Sequence, residues 1–433
     1  MEKGCLNLNV SSYILVLKPM VTWFEVRDPI YGFIQFNEWE KQIIDSPEFQ
    51  RLRRIKQLGL TDMVYPGATH TRFEHSLGVM HLATKMYDMI VNSNKSKTLL
   101  ETRLKYDDVG LKKDRQLVRL AALLHDIGQM PFSHMLEDGT YNHETYTSAI
   151  IKGPLRNKIE NHALNKMNYN ISADDIAALI EGDAKILGKR VFWKILISSQ
   201  LDADRGDYLP RDSHHLGVKY GVYDLDRLLV TLGLGIDPEN DEVVLGVRED
   251  GWHVAEALII ARYQMFCQVY FHKTRQAYDY MLHQAIKDTK IMIPKPTEIE
   301  EFLKLDDYTI WNLIINNSIK SYWCNAILRR NHLRSVYKTE EVPTEEDIKK
   351  IQEVEEKLKS NNIWYCIMDT GDSWYKLNHW GEVMIVDEGG KVSPLSKYSR
   401  VVRYLGETKQ IRVYVKSEDK DSAENILGRI SQD

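Results

Sequence analysis

The sequence predicts a mainly α protein with a smaller α+β region towards its C-terminal end, and three observations carry that expectation. From His75 to about Lys290 the apolar residues recur at helical spacing, with Leu77, Met80 and His81 in one stretch and Leu117, Leu120, Ala121 and Leu124 in the next. Past Pro294 a capping pattern starts at Thr344, with Asp347 at the third following position, and Ile348, Ile351, Val354 and Leu358 then mark a charged amphipathic helix. From Ile363 to Val415 the pattern alternates as strands do, most clearly in Gln410-Ile411-Arg412-Val413-Tyr414-Val415.

Taken in chain order, residues 1–25 show no period and read as a flexible start or an edge strand near Trp23 and Phe24. Asp28-Pro29-Ile30-Tyr31-Gly32-Phe33-Ile34 has turn chemistry between β-branched and aromatic residues, which predicts a short hairpin. Ser46 and Pro47 read as an N-cap and first helical residue, and Phe49, Leu52, Ile55 and Leu58 then mark one face of a predicted helix. A β-rich insertion is expected between Asp241 and Trp252, around Val243, Val244 and Val247. The expected organisation is an N-terminal segment 1–25, a helical core 26–290, a helical connection 291–340 and an α+β region 341–433.

The chain has 433 residues, room for two or three domains at roughly 150 residues each. Its 57 basic and 62 acidic residues give a net charge of −5, which lacks the cationic excess of a nucleic-acid coat and leaves room only for a local basic patch. Cys5, Cys267, Cys324 and Cys366 lie far apart and form no C-x-x-C pair, which speaks against a zinc ribbon or redox motif and fits a reducing cytoplasm. The early apolar run Tyr13 to Leu17 is too short for a secretory core or a spanning helix, so neither export nor membrane insertion is expected. Met20 offers an alternative start.

The strongest local signal is Leu123-Leu124-His125-Asp126-Ile127-Gly128, an apolar run ending in an imidazole beside a carboxylate, with Gly128 available to end the helix in the left-handed conformation. By itself His125 could simply cap a helix C-terminus. Upstream, Thr71-Arg72-Phe73-Glu74-His75 sets an arginine and a histidine on one helix face. Downstream, Leu201-Asp202-Ala203-Asp204-Arg205-Gly206-Asp207-Tyr208 places three acids within six residues. A site of His75, His125, Asp126 and Asp204 would suit one divalent cation and leave positions for water and a phosphate oxygen.

The ordered set H…HD…D, with the words RFEHSLGV, HDIG-x-x-PFSH, NHE and DADR-x-DYLPRDSHHLG, resembles the HD-domain metal-dependent phosphohydrolases, and within them the deoxynucleoside triphosphate triphosphohydrolase branch. The resemblance runs from about residue 25 to 290 and returns weakly at Lys409 to Val415; residues 1–25 are too few for the SAM domain of the mammalian members. It implies an HD helical core, hydrolysis of deoxynucleoside triphosphates to deoxynucleoside and inorganic triphosphate, and one divalent metal per site, whether Mg, Mn, Fe, Co, Ni or Zn. By position it implies His75, His125, Asp126 and Asp204 as ligands, with Asp202 the nearest competitor for the fourth place. It implies catalytic roles for Asp126, His134 and His143, phosphate contacts for Arg72, Arg205 and Arg262, and a deoxyribose site of Gln57, Leu58, Tyr208, Asp212 and Tyr270. Gln57 and Asp212 would bond the 3′-hydroxyl, and Tyr270 would crowd a 2′-hydroxyl. Cations are needed there on physical grounds, since a triphosphate brings several negative charges into one cleft.

The match has gaps. Gln129 stands where the branch has histidine, Glu137 where it has aspartate, and Phe266 and Phe271 where the mammalian members have histidine and glutamine. A regulatory site for an activating guanine nucleotide or dNTP is implied by Asp45, Gln50 and Arg53, although Arg27 replaces an asparagine; such a site would promote homodimers into homotetramers. Two other functions compete: an HD phosphohydrolase acting on a monophosphate, cyclic nucleotide or RNA end, favoured by Gln129, and a nucleotide-sensing, nucleic-acid-binding scaffold using the basic strip Arg51, Arg53, Arg54 and Lys56.

Overall fold

A computed structural model describes residues 21–133, 142–369, 382–405 and 409–428. The fold is mainly α, with small sheets that gather towards the C-terminal part. Among the described residues no helix is long and apolar enough to cross a membrane.

The chain enters through an antiparallel hairpin, β1 (Trp23–Asp28) and β2 (Gly32–Asn37). Asp28 turns it by accepting the N–H groups of Ile30 and Tyr31, and Gly32 supplies φ +77°. The predicted helix from Pro47 to Leu58 is shorter than its apolar run. Ser46 caps it as expected, but the α-helix ends at Gln50, a 3₁₀ turn covers Arg51–Arg54, and Ile55 is extended. The reason is in the spacing: Phe49, Leu52 and Ile55 repeat every three residues, the period of a 3₁₀ helix, and all three are fully buried on the resulting edge.

Two long helices, Arg72–Asn92 and Asp108–Leu124, form the centre of the core, with Ala203–Leu216 packed against the first. Gly78 makes that contact close: a Cβ there would sit 1.9 Å from Asp207 Oδ1 and 2.4 Å from Arg211 Nη2. Gly128 does not end its helix in the left-handed region, as the sequence suggested. It is not among the positive-φ residues, and its missing Cβ instead admits the backbone of Thr147, whose N would lie 2.1 Å away.

The expected β segment exists as β4 (Val243–Arg248), but it needs a partner that the helical reading missed, β3 (Leu232–Ile236). Further along, β5 (Arg334–Lys338), β6 (Tyr365–Asp369), β7 (Met384–Val386), β8 (Val392–Pro394) and β9 (Ile411–Val415) complete two sheets, ordered β3-β4-β7-β8 and β5-β9-β6. The Thr344 capping box starts helix Glu345–Ser360, which buries Ile351, Val354 and Leu358 and leaves Ile348 exposed.

Candidate active site

Each of the four proposed ligands owes its position to a helix end. Thr71 and Glu74 form a capping box that starts the helix Arg72–Asn92, so His75 projects from its first turn. His125 is the C-cap of Asp108–Leu124, and Asp126 follows at the turn. Asp202 caps Ala203–Leu216 by accepting the Arg205 N–H at 2.7 Å, which puts Asp204 in the first turn. Asp202 is therefore occupied as a cap and an ion-pair partner of Arg205, and Asp204 is the acid that meets the histidines.

His75 Nε2 lies 3.1 Å from Asp204 Oδ1 and 3.7 Å from Asp126 Oδ2; His125 Nε2 lies 3.5 Å from Asp126 Oδ2 and 3.9 Å from Asp204 Oδ1. Both Nε2 atoms are buried without a hydrogen-bond partner, while the opposite nitrogens are held by Asp207 Oδ2 at 2.8 Å and the Ala122 carbonyl at 2.9 Å. Two Nε2 atoms that face the same two carboxylates, each ring fixed from behind, are an arrangement that suits a metal ion. The cluster His75, His125 and Asp126 can hold one.

Burial disfavours a charged His75, but Asp204 and Asp207 outweigh it and hold its pKa up at about 10. Burial likewise opposes the Asp126 carboxylate, yet Arg72 and the neighbouring histidines hold it well below the usual range. Arg72 donates from Nη1 to Asp126 and from Nε to Ser133 Oγ at 3.1 Å.

Several of these groups open onto a cavity of about 450 Å³, which His75 does not line. Arg72, His125, Asp126, Asp204 and His143 line it together with Gln57, Leu58, Tyr208, Asp212 and Tyr270. His143 begins helix His143–Lys152, with Nε2 3.9 Å from Asp126 Oδ1. On the Ala203–Leu216 helix Asp204, Tyr208 and Asp212 follow at intervals of four, so one face runs from the ligand cluster along the cavity wall. Tyr270 Oη donates to Asp212 Oδ2 at 2.6 Å. Burial pushes the Tyr208 phenol up to about 12, so it remains a donor at neutral pH.

Other expected residues stand elsewhere. Arg205 and Arg262 do not line the cavity: Arg205 is engaged by Asp202 and the Ser199 carbonyl, and Arg262 Nη1 donates to Gln200 Oε1 at 2.8 Å. Gln129 is fully buried, its carbonyl accepting from Arg51 Nη1 and its Oε1 from the Met130 N–H, and it too is absent from the lining. His134 and Glu137 lie outside the described residues. Of the regulatory set, Asp45 pairs with Lys41, Arg53 Nε donates to Gln50 Oε1 at 2.8 Å, and the Arg53 guanidinium lies 3.5 Å from the centre of the Phe73 ring. The basic strip does not form one surface. Arg51 is buried against the Leu305 carbonyl, while Arg54 and Lys56 pair with Asp306 and Asp62.

Phe266 and Phe271 line the cavity beside Tyr270, along with Arg275, Glu144 and Ser133, which sequence reasoning did not select. Phe266–Tyr270 is a π-helical segment, a form that concentrates at functional sites. Asp207 was also missed, although its spacing of three from Asp204 puts it on a neighbouring helix face.

Residues 72–186 match the HD domain and residues 223–430 the HD associated region. A protein of Methanocaldococcus jannaschii is 37% identical over 306 residues, covering 71% of this chain and 58% of that protein. The deoxynucleoside triphosphate triphosphohydrolase SAMHD1 homolog of Dictyostelium discoideum is 27% identical over 329 residues, covering 72% and 59%. The chain thus spans about three-fifths of the length of either relative. The crystal structure of a hypothetical protein from Aquifex aeolicus aligns with a TM-score of 0.72 at 30% identity, covering 94% of this chain and all of that one. With the HD domain, the associated region behind it and a His/Asp cluster where the motif predicts one, the chain belongs to the HD-domain metal-dependent phosphohydrolase superfamily.

Proposed function

We propose that the protein hydrolyses deoxynucleoside triphosphates to deoxynucleoside and inorganic triphosphate. The observation that carries the reading is a cavity in which His125, Asp126 and Asp204, backed by His75 against Asp204, meet a wall of Gln57, Tyr208, Asp212 and Tyr270. The likeness to a relative named as a deoxynucleoside triphosphate triphosphohydrolase supports it.

His75, His125, Asp126 and Asp204 would hold one divalent cation, chosen among Mg, Mn, Fe, Co, Ni and Zn by availability. Such an ion supplies Lewis-acid activation of water and neutralises phosphate charge. The chain's own groups do the rest. Arg72, at the mouth of the cluster, binds a phosphate oxygen and orients the α-phosphorus. Water adds to that phosphorus, the bond to the 5′-oxygen breaks, and the proton reaches the departing oxygen from an imidazole, the candidates being His143, which lines the cavity, and His134. The Asp212–Tyr270 pair and Gln57 hold the sugar, and Tyr270 leaves little room beside it for a 2′-hydroxyl. An activating guanine nucleotide at Asp45, Gln50 and Arg53, acting through homo-oligomer formation in the cytoplasm, completes the proposal.

The test is chromatography of metal-loaded protein incubated with each dNTP and NTP, with and without GTP. Deoxynucleoside and triphosphate in equal amounts are expected, and release of phosphate or pyrophosphate alone would refute the reading. Asp126→Ala should abolish both metal binding and turnover.

A further inference from the structure

We infer that His70, a residue outside the cavity lining, is a positioning residue that sets the two side chains receiving the 3′-hydroxyl; the inference rests on the deoxynucleotide reading of the cavity. His70 is 3% exposed and lies just before the capping box of helix Arg72–Asn92. It acts in two directions. Its Nε2 lies 2.8 Å from Asp212 Oδ1, and its backbone carbonyl accepts the Gln57 N–H at 3.0 Å.

With Tyr270 donating to the other oxygen, the Asp212 carboxylate takes one donor on each oxygen and loses its freedom to rotate. Each oxygen keeps a second acceptor site, and Asp212 lines the cavity in which a hydroxyl would meet it. The imidazole is itself braced. It stacks on His215 with centroids 4.4 Å apart at 7°, and His215 Nε2 lies 3.2 Å from Glu74 Oε2. Glu74 is the same residue that caps the helix carrying His75, accepting the Thr71 N–H at 3.1 Å. The sugar end and the ligand end of the cavity are thereby registered to one helix start. A hydroxyl acceptor displaced by even a fraction of an ångström loses its discrimination, which gives the bracing a function beyond packing.

The test compares wild type, His70→Leu and His70→Gln on a dNTP and on the matching 2′,3′-dideoxynucleotide, with metal content and thermal unfolding as controls. His70→Leu should lower kcat/KM for the dNTP roughly ten- to a hundred-fold, the loss of one hydrogen bond to a charged group, and change the dideoxy substrate by less than about three-fold. His70→Gln, which can donate from a similar reach, should recover most of the loss. Should His70→Leu fail to fold, His70→Asn, polar but too short to reach Asp212, must show the same dependence on the 3′-hydroxyl. Equal losses on both substrates, or no loss, would overturn the inference while leaving the activity in place. Absence of turnover of any dNTP by wild type would instead refute the functional reading, and this inference with it.

Discussion

His75 and Asp207 share a hydrogen bond of 2.8 Å between Nδ1 and Oδ2, made behind the proposed metal cluster by a carboxylate that is itself held by Arg211 at 2.8 and 2.9 Å. This bond fixes the ring so that Nε2 faces Asp126 and Asp204. It is a carboxylate–histidine pair of the sort that orients metal ligands and raises their basicity. Asp207→Asn should therefore weaken binding of a divalent ion about 10- to 100-fold, with a loss of stability as well because buried Arg211 keeps only Asp28 as a fully buried charged partner. Calorimetric titration of the metal-depleted protein measures this, and unchanged affinity would remove Asp207 from the site.

Asp114 gives a pH dependence that is independent of the active site. Burial pushes its carboxyl up to about 6, although the Trp193 indole N–H donates to it at 3.2 Å. A carboxyl whose native pKa exceeds its unfolded value binds its proton more tightly in the folded chain. Its contribution to stability is present below about pH 4 and is lost as pH rises through 6. Asp114→Asn, which cannot ionise, should match wild type near pH 4 and exceed it at pH 7.5 by up to about 3 kcal/mol in urea unfolding. A gap that does not change between these pH values would contradict the assignment.

The metal cluster was the most legible part of the sequence because ordered words, rather than composition, identify it. The motif alone favours Asp204 over Asp202 as the proposed fourth ligand, and Asp202 spends its oxygens on a helix N-terminus and on Arg205. What stayed hidden depends on contacts between distant segments. Arg205 and Arg262 carry the right charge for a phosphate; they pair with Asp202 and Gln200 and stand behind the lining residue Tyr208, a placement that only the folded chain shows. Arg51 looked like part of a solvated basic face, yet it is buried against carbonyls of Gln129 and Leu305, residues remote in sequence. The Phe49–Leu58 run departs from the predicted helix for a local reason, its period of three, which belongs to a tighter helix.

Gly128 follows the HD doublet and should tolerate no side chain. An added Cβ would lie 2.1 Å from the Thr147 backbone nitrogen and 2.5 Å from the His143 carbonyl oxygen, and backbone cannot step aside as a flexible side chain can. Gly128→Ala should cost about 1–3 kcal/mol, towards the upper end, and move Asp126 relative to His143. Urea unfolding measures the first effect and turnover per bound metal the second. A variant as stable and active as wild type would show that the two segments are looser than their packing implies.

Glu40 and Arg119 form a buried pair that ties the entry helix to the core. Glu40 is fully buried, receives Arg119 at 2.6 and 2.7 Å and Gln116 at 2.8 Å, and also accepts the Asn37 N–H in the capping box of helix Glu38–Ile44. Arg119 in turn reaches Thr84 Oγ1 on the helix that carries His75. Glu40→Ala would strand the guanidinium in a site 4% exposed and should destabilise the protein by about 3–5 kcal/mol. Replacing both charges, Glu40→Leu with Arg119→Met, removes the uncompensated charge and should recover much of that loss, because the attraction in such a pair is largely offset by the desolvation of its members. If the double variant is instead no more stable than Glu40→Ala, then the capping and hydrogen-bonding roles of Glu40 outweigh its charge, and the entry helix is held by its N-terminal geometry.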